Sequence, residues 1–216
     1  MRHRNLAALA IAGSLAMTAG CNTSAPYAPP PYIPPVAMAP SVPAYAMDLI
    51  GERAARVRKA RAAGLRVLPA AEVADYLARQ ETELRRQTAG TGVDVIRAGE
   101  VILLRLPASL TFNVGSSDIS PQAASTLNEI GLTLKSYNRS LVDVLGHTDA
   151  TGNPVSNKTL SERRASTVAA RLRARGVNAA RIATQGYAAT QPIGDEGTET
   201  GRALNRRVEI VVFPLR

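Results

Sequence analysis

Short apolar runs alternate with longer amphipathic stretches through the C-terminal half of the chain. The runs that predict strands or short extended pieces lie at 93–96, 101–106, 110–113, 141–146, 182–187 and 208–213. Residues 97–100 form a four-residue turn between the first two runs, which predicts a hairpin. The final run, 208–213, predicts an edge strand or an antiparallel strand.

Two long helices are predicted between these runs. Ser120 is a good N-cap and Pro121 suits the first helical position. The apolar residues that follow keep a helical spacing: Ala124, Leu127, Ile130, Leu134 and Tyr137. The second helix is predicted over 157–175, with Gly176 as its stop. This order of elements predicts an α/β fold, in which right-handed crossovers place helices on a mixed β-sheet.

A helical segment over 48–89 precedes the hairpin. Its first helix spans 48–63, from Asp48 to the stop at Gly64. It is rich in cations, namely Arg53, Arg56, Arg58, Lys59 and Arg61. Such a helix can lie on anionic lipid or glycan, or it can be a solvated helix face. The second helix, 70–88, has Tyr76, Leu77, Gln80, Leu84 and Gln87 on one side.

The first 21 residues resemble a bacterial lipoprotein signal. A basic start is followed by an apolar run over 6–17, which is too short to span a bilayer. Small residues then lead to Cys21, the one cysteine of the chain. Signal peptide 1–20 would be removed and Cys21 lipidated. The alternative is a plain secretory signal with a chance cysteine. Asn22 follows the cysteine, and the absence of Asp there favours the outer membrane.

A proline-rich linker is predicted over 21–47. Its prolines are at positions 26, 29, 30, 31, 34, 35, 40 and 43. Repeated proline favours extended polyproline II, so the linker could reach roughly 80 Å at about 3.1 Å per residue. This composition is typical of a tether that holds a domain away from a membrane. A ligand for an SH3-like module is the alternative.

Composition and charge limit the chemical classes of partner that are expected. Apolar residues make up 45% of the chain and aromatic residues only 4%, so the core is expected to be aliphatic. The formal charge of +9 falls to about +7 once Arg2 and Arg4 leave with the signal peptide. A basic balance favours a polyanionic partner, such as nucleic acid, anionic lipid or an acidic wall polymer. One cysteine excludes an internal disulfide and a thiolate metal site, and no cofactor is expected.

Candidate chemistry concentrates in residues 141–165. Asp149 lies just past the end of the predicted strand 141–146, where open α/β sheets bind ligands. At about 100° per residue, Arg164 falls near 40° from Leu160 and shares the apolar side of the helix, whereas Arg163 falls near 300°. An arginine on the inward side needs an anionic partner. That partner is either Asp149 or the carboxylate of a ligand.

Three separated blocks of the chain resemble one known family. They are Gly146-His147-Thr148-Asp149, then residues 157–165, then residues 201–210. They are similar to the OmpA-like peptidoglycan-binding domain, and the resemblance covers residues 90–216. Gly90-Thr91-Gly92-Val93 and Leu110-Thr111-Phe112 bring the chain closer to the YiaD-type outer-membrane lipoproteins.

The resemblance implies a ligand and a set of ligand-binding residues. The family's ligand is the diaminopimelate of the peptidoglycan stem peptide. By position, Asp149 and Arg164 match the acid and the arginine that hold it, and Asn157 matches an asparagine that hydrogen-bonds it. The backbone near Thr151 lines the site, and Arg206 makes a further polar contact. The chain departs from the family at 113–117, where many members carry acids, so contacts from this loop are expected from backbone or Ser116.

The predicted function is therefore that of an outer-membrane lipoprotein facing the periplasm. It would be anchored in the inner leaflet through Cys21 and would bind peptidoglycan. An alternative is an envelope protein-interaction, assembly or signalling module of the same fold. An enzyme with a His147–Asp149–Ser161 triad lacks a nucleophile elbow, no cluster has metal-ligand spacing, and nucleic-acid binding rests on charge alone. In a further alternative, Asp149 and Arg164 form only an internal ion pair.

Overall fold

The computed structural model describes residues 43–47, 50–113 and 115–216. Its strands form one five-stranded sheet of order β1-β2-β5-β3-β4. The strands are β1 (Asp94–Ala98), β2 (Val101–Pro107), β3 (Ser140–His147), β4 (Ile182–Ala188) and β5 (Arg207–Pro214). β3 and β4 are parallel, and the other neighbouring pairs are antiparallel. The predicted mixed sheet is confirmed. The predicted signal peptide, Cys21 and most of the linker lie outside the described residues.

Seven α-helices accompany the sheet within the described part of the chain. They are α1 (Ala44–Met47), α2 (Arg53–Ala62), α3 (Val73–Thr88), α4 (Ala108–Thr111), α5 (Pro121–Ser136), α6 (Pro154–Ala174) and α7 (Glu199–Asn205). Two 3-10 turns, Ala70–Glu72 and Ala179–Arg181, precede α3 and β4. Among the described residues, no helix combines the length and the apolar character needed to cross a bilayer.

Caps explain where the helices begin. Ser120 Oγ accepts a hydrogen bond from Ala123 N (3.1 Å), so α5 begins where the sequence predicts. The prediction that the next helix begins at Asn157 is wrong, because Asn153 is the N-cap of α6 and Pro154 its first residue. Asn153 Oδ1 accepts hydrogen bonds from the N–H groups of residues 155 and 156. Likewise, α2 begins at Arg53, and residues 50–52 are not helical.

Four further local predictions are corrected. The hairpin turn has two residues, Gly99 and Glu100, because Gly99 adopts a φ of +54° that lets the strands pair up to Ala98 and Val101. Residues 110 and 111 end the short helix α4 and are not extended. The predicted loop before residue 204 contains α7. β5 is antiparallel but central, not an edge strand.

Both faces of the sheet are covered. One face packs against α3, α5 and α6 through an aliphatic cluster that includes Leu77, Leu127 and Val168. The other face, with Leu103, Leu145, Val211 and others, packs against the segment that contains α1 and α2. A central strand between two such layers loses all contact with solvent, which is why every residue of β5 is buried.

A buried ion pair ties α2 to the second face. Asp143, the acidic residue of the mainly apolar strand β3, is 1% exposed. It pairs with Arg56 and accepts a hydrogen bond from Ile50 N (2.6 Å). Burial raises the pKa of Asp143, against the opposing effect of Arg56. Arg56 also donates to Arg181 O (2.6 Å). One cation of the basic helix is thus structural.

A second buried arginine closes the end of α5. Arg181 is 0% exposed and donates to the carbonyl oxygens of Leu134 (2.6 Å), Tyr137 (2.9 Å) and Ser140 (2.5 Å). The bonds to Leu134 and Tyr137 satisfy carbonyl groups that the end of α5 leaves free, and the bond to Ser140 ties the same guanidinium to the start of β3. Burial lowers the pKa of Arg181 to about 10.

A close contact brings α6 onto the parallel strands. Gly146 of β3 and Gly186 of β4 are paired in the sheet and both face Ser161 of α6. A Cβ at Gly146 would lie 2.0 Å from Ser161 O, and one at Gly186 would lie 2.4 Å from Ser161 Oγ. The hydroxyl of Ser161 accepts a hydrogen bond from Ala188 N (3.1 Å) and donates one to Lys158 O (2.8 Å). The two glycines therefore set the distance between helix and sheet.

Gly146→Ala is expected to lower the free energy of unfolding by about 3 kcal/mol, the upper range for overpacking, because a backbone carbonyl must move. Gly197→Ala is the matched control, since its Cβ would meet only the Asp195 carboxylate at 3.2 Å. Urea denaturation of both variants measures the difference. Equal stability of the two variants would contradict the assigned constraint.

Candidate functional site

The candidate site begins where β3 ends. Thr148 N donates to Ala188 O (2.9 Å), which keeps the chain beside the end of β4 for one more residue. Thr148 and Asp149 are then 4% and 6% exposed. Asp149 therefore lies just past the carboxyl ends of both parallel strands, as its sequence position predicts.

Two residues hold the Asp149 carboxylate. Oδ1 accepts hydrogen bonds from Thr151 N (3.1 Å) and Thr151 Oγ1 (2.5 Å), and Oδ2 accepts one from Arg206 Nη1 (2.7 Å). Burial acts to raise the pKa of Asp149, but the bonds from Thr151 and Arg206 outweigh it and hold that pKa below its ordinary value. A carboxylate has about four acceptor positions, so three donors leave room for one more.

Asn157 fixes the turn that carries Asp149. Its Nδ2 donates to Thr151 O (2.8 Å) and to Asp149 O (3.3 Å). Because α6 begins at Pro154, Asn157 lies in the first turn of the helix and reaches back over the preceding loop. The side chain therefore joins the helix start to the loop 149–151.

Arg164 lies on the inward side of α6, as the helical phase predicts. It is 7% exposed, whereas Arg163 is exposed. Its Nε donates to Ser116 O (3.1 Å), and its guanidinium carbon lies 4.9 Å from the ring centre of Phe112. The loop 113–117 thus contributes a backbone oxygen. Phe112 was not predicted at the site.

Arg164 has no carboxylate partner within 4.0 Å among residues 43–47, 50–113 and 115–216. Burial lowers the pKa of Arg164, and the nearby charge of Arg206 adds to that effect while Asp149 opposes it. The internal ion pair between Asp149 and Arg164 is therefore not formed. A desolvated guanidinium without a carboxylate is costly, which favours an anionic ligand.

Arg206 follows α7 and bridges two acids. Nη1 contacts Asp149, and Nη2 donates to Glu199 Oε1 (2.5 Å). These hydrogen bonds raise the pKa of Arg206, with the Asp149 bond the largest cause. Glu199 was not predicted. Thr198 caps α7 by accepting a hydrogen bond from Gly201 N (3.0 Å), and this cap followed by an acid is the sequence pattern that could have located the helix.

The loop before α7 is attached to the turn after β3. Glu196 Oε2 accepts from Ala150 N (3.0 Å), and Glu196 Oε1 accepts from Asn205 Nδ2 (2.7 Å). Asn205 Oδ1 in turn accepts from the N–H groups of Ile193 (2.7 Å) and Gly194 (2.8 Å). These contacts fix the position of the segment from which Arg206 reaches Asp149.

The hydrolytic triad considered for the sequence is not assembled. The Ser161 hydroxyl lies beneath α6 in the helix–sheet contact described above. The ring of His147 stacks on Tyr187 at 5.5 Å, and its Nε2 lies 3.4 Å from Glu209 Oε2. Burial lowers the pKa of His147. Within the part of the chain that the structure describes, no group of His, Cys, Asp and Glu residues could hold a metal ion.

Comparisons with known proteins relate the chain to one family. Residues 111–206 match the model of the OmpA family. The chain is 44% identical to the probable lipoprotein YiaD of Escherichia coli over 140 residues, which cover 65% of this chain and 64% of that protein. It is 36% identical to the outer-membrane lipoprotein YfiB of Pseudomonas aeruginosa over 107 residues, 50% of this chain and 64% of that one. The chain thus spans less than two thirds of either relative.

A solved structure shares the fold. The chain is similar to "the cell wall anchor of the T6SS" from Pseudomonas aeruginosa, with a TM-score of 0.53 and 29% identity over 66% of this chain and 96% of that chain. The α/β class predicted from the order of strands and helices is therefore confirmed. The ligand-binding roles of Asp149, Arg164, Asn157, Thr151 and Arg206 stay predictions.

The lowered pKa of Asp149 gives the site a pH dependence. Stability that comes from the ionised carboxylate is present above its unfolded pKa, about 4, and is lost as pH falls through the lower folded value. Asp149→Asn is therefore expected to be less stable than wild type at neutral pH, and the gap should shrink below about pH 4. Urea denaturation across pH measures it. Asp118→Asn, at an exposed side chain, is the control, and a gap independent of pH would contradict the assignment.

Proposed function

Because residues 111–206 form a domain of the OmpA family, we propose that the protein binds peptidoglycan non-covalently and tethers the outer membrane to the cell wall. The ligand is the diaminopimelate of the stem peptide. The observation that carries the proposal is the environment of Arg164. This residue is 7% exposed, has no carboxylate partner among the described residues and lies beside the Asp149–Arg206 pair.

The chemistry of the ligand fits this arrangement. The free end of diaminopimelate presents an ammonium and a carboxylate on one carbon. The guanidinium of Arg164 would take the carboxylate through its two Nη groups, since a guanidinium fork matches a carboxylate. Asp149 would take the ammonium at its remaining acceptor position. Arg206 would add a further polar contact.

The loop beside Asp149 would complete the pocket. Asn157 and the backbone near Thr151 would line it, and their hydrogen bonds to one another hold the turn in place before a ligand arrives. A site arranged in advance loses less conformational freedom on binding. Binding rather than catalysis is the role, in keeping with the family and the lipoprotein relatives.

The relatives support the location. YiaD is named a probable lipoprotein, YfiB is named an outer-membrane lipoprotein, and the similar solved structure is a cell wall anchor. Together with the predicted lipid attachment at Cys21, these names support a location at the outer membrane, facing the periplasm. Several acyl chains on one residue would give a stable anchor.

Arg164→Ala is expected to weaken binding to purified peptidoglycan by roughly ten- to a hundredfold, because a charge-assisted hydrogen-bonded contact contributes about 1.5–3 kcal/mol. Sedimentation of the detergent-solubilised full chain with peptidoglycan measures it. Arg163→Ala is the matched control, because it removes the same charge from the exposed side of α6. Asp149→Ala should also lose binding.

Three outcomes would overturn parts of the proposal. Unchanged sedimentation of both the Arg164 and Asp149 variants would remove the site, and no sedimentation of wild type would remove the function in favour of a protein-interaction module. Peptidoglycan with lysine in place of diaminopimelate tests the ligand, because its stem lacks the carboxylate that Arg164 is proposed to take. Equal binding to both walls would contradict diaminopimelate recognition.

Lipid attachment is tested separately. Cells that express the wild type are expected to incorporate labelled palmitate into the protein, whereas Cys21→Ser should abolish the label. The label should run with the membrane fraction. Label retained in the Cys21 variant would show that the proposed anchor is wrong, whatever the peptidoglycan result.

A further inference from the structure

The basic segment around α2 carries more charge than the fold uses. Residues 52–66 contain six cations and one acid. Arg56 pairs with Asp143, and Arg53 lies over the ring of Phe213 at 5.9 Å. The other four cations, Arg58, Lys59, Arg61 and Arg66, are exposed. None of these four side chains forms a hydrogen bond or an ion pair with any residue that the structure describes.

These cations lie at the end of the sheet away from the candidate site. α2 packs beside the turn 179–181, which precedes β4, and Arg56 donates to Val142 O near the start of β3. Gly64, Leu65 and Arg66 line an open cleft of about 410 Å³ with Asn138 and Arg139, which precede β3. Asp149 follows the other end of β3. Eight residues of strand separate the two ends by about 26 Å.

Two further helices end at this same edge. α5 and α6 both run back from the carboxyl end of the strands, so Lys135, Arg173 and Arg175 lie near the amino end. Lys135 packs along Gly176, and Arg175 packs against Gly131, which brings the two helix ends together. We call these residues the amino-end basic surface: Arg58, Lys59, Arg61, Arg66, Lys135, Arg173 and Arg175.

Acids do not balance this surface. Three acids lie at the starts of α2 and α3, namely Glu52, Glu72 and Asp75. α5 and α6 carry one acid each, Glu129 and Glu162, and both precede the basic ends of these helices. Glu72 is already paired with Arg139 Nη1 (2.8 Å). Cations in the last turn of a helix interact favourably with its dipole, which accounts for Lys59 and Arg61 as well as Lys135 and Arg173. The dipole does not account for Arg58, which precedes the last turn of α2, or for Arg66, which lies beyond the helix.

We propose that the amino-end basic surface binds the headgroups of an anionic phospholipid bilayer. The inference rests on the proposed lipid anchor at Cys21, which would hold α2 near a membrane. Lysine and arginine near an anionic bilayer each contribute to binding, and the attraction fades within a Debye length. The domain therefore docks on the membrane with its candidate site directed away from it.

The position of the surface favours lipid over the cell wall as its partner. When Arg164 holds peptidoglycan, the candidate site faces the wall. The amino-end basic surface then lies at the opposite end of the domain and faces away from the wall. The segment that carries α2 also follows directly after the predicted linker from Cys21. Docking and wall binding can then occur together where the distance between membrane and wall is about the length of the domain. The predicted linker would allow the domain to reach the wall where that distance is larger.

Hydrogen exchange of the full-length lipidated chain in nanodiscs tests the proposal. Residues 53–66 should exchange more slowly in discs of phosphatidylcholine with phosphatidylglycerol than in phosphatidylcholine alone, and high salt should remove the difference. The triple variant Arg58→Gln, Lys59→Gln, Arg61→Gln should weaken docking by roughly a hundredfold, about fivefold for each charge. The triple variant Arg79→Gln, Arg85→Gln, Arg86→Gln, on exposed positions of α3, is the matched control.

Each outcome of these experiments either supports or overturns lipid docking. Protection that depends on phosphatidylglycerol and is lost only in the α2 variant supports the proposal. Equal protection in both lipids, or equal loss in both triple variants, overturns it. Protection that appears only when peptidoglycan is added assigns the surface to the wall and also overturns it. Peptidoglycan sedimentation of each variant reports folding and the wall site, so failure of wall binding is seen separately from failure of lipid docking.

Discussion

The close approach of α6 to the parallel strands is the constraint on which the candidate site depends. Gly146 and Gly186 admit the backbone and hydroxyl of Ser161, and no larger residue fits at Gly146 without moving a carbonyl. This contact therefore fixes the distance of α6 from the sheet and the rotation of α6 about its own axis. Arg164, three residues beyond Ser161, is carried to the edge where β3 delivers Asp149. Two elements that meet through glycine thus bring a cation and an acid together without a direct bond between them.

The buried charged side chains of the fold differ in the partners that compensate their charge, and the candidate site is the exception. Asp143 is matched by Arg56, and Arg181 is matched by carbonyl oxygens at the end of α5. Glu209 is matched by Arg207 Nε at 2.9 Å; burial acts to raise its pKa, but His147 and Arg207 outweigh burial and lower it. Arg164 alone among these has a carbonyl and an aromatic ring in place of a full complement of acceptors. Structural needs explain the others, whereas the proposed ligand would supply the anion that Arg164 lacks.

The chain also separates its two ends by charge and by position. Asp149, Arg206 and Glu199 form a mixed cluster past the carboxyl end of β3, and mixed charges suit a zwitterion. The amino end carries cations in excess, which suits a polyanionic surface. A domain with unlike ends is well suited to lie between two different surfaces, and the predicted linker and anchor give it that location.

Short-range patterns in the sequence determined much of this arrangement. Helical periodicity separated Arg164 from Arg163, because the rotation per residue is a local property of the backbone. The apolar run of β3 located Asp149 at a strand end, and Ser120 with Pro121 located the start of α5. The start of α6 is also encoded locally, in Asn153 and Pro154. The apolar pattern of this helix begins further along the chain, which is why it predicts a later start.

Only the tertiary structure decided which charges meet. Arg206 lies 57 positions from Asp149 and pairs with it, while Arg164, much nearer in sequence, does not. Arg56 reaches Asp143 across 87 positions, and β5 takes the centre of the sheet although it is last in the chain. Partners at such separations are set by how strands and helices pack, and packing depends on the whole chain folding at once. The sequence therefore specified the acid and the arginines, and the fold determined which arginine pairs with Asp149 and which has no carboxylate partner among the described residues.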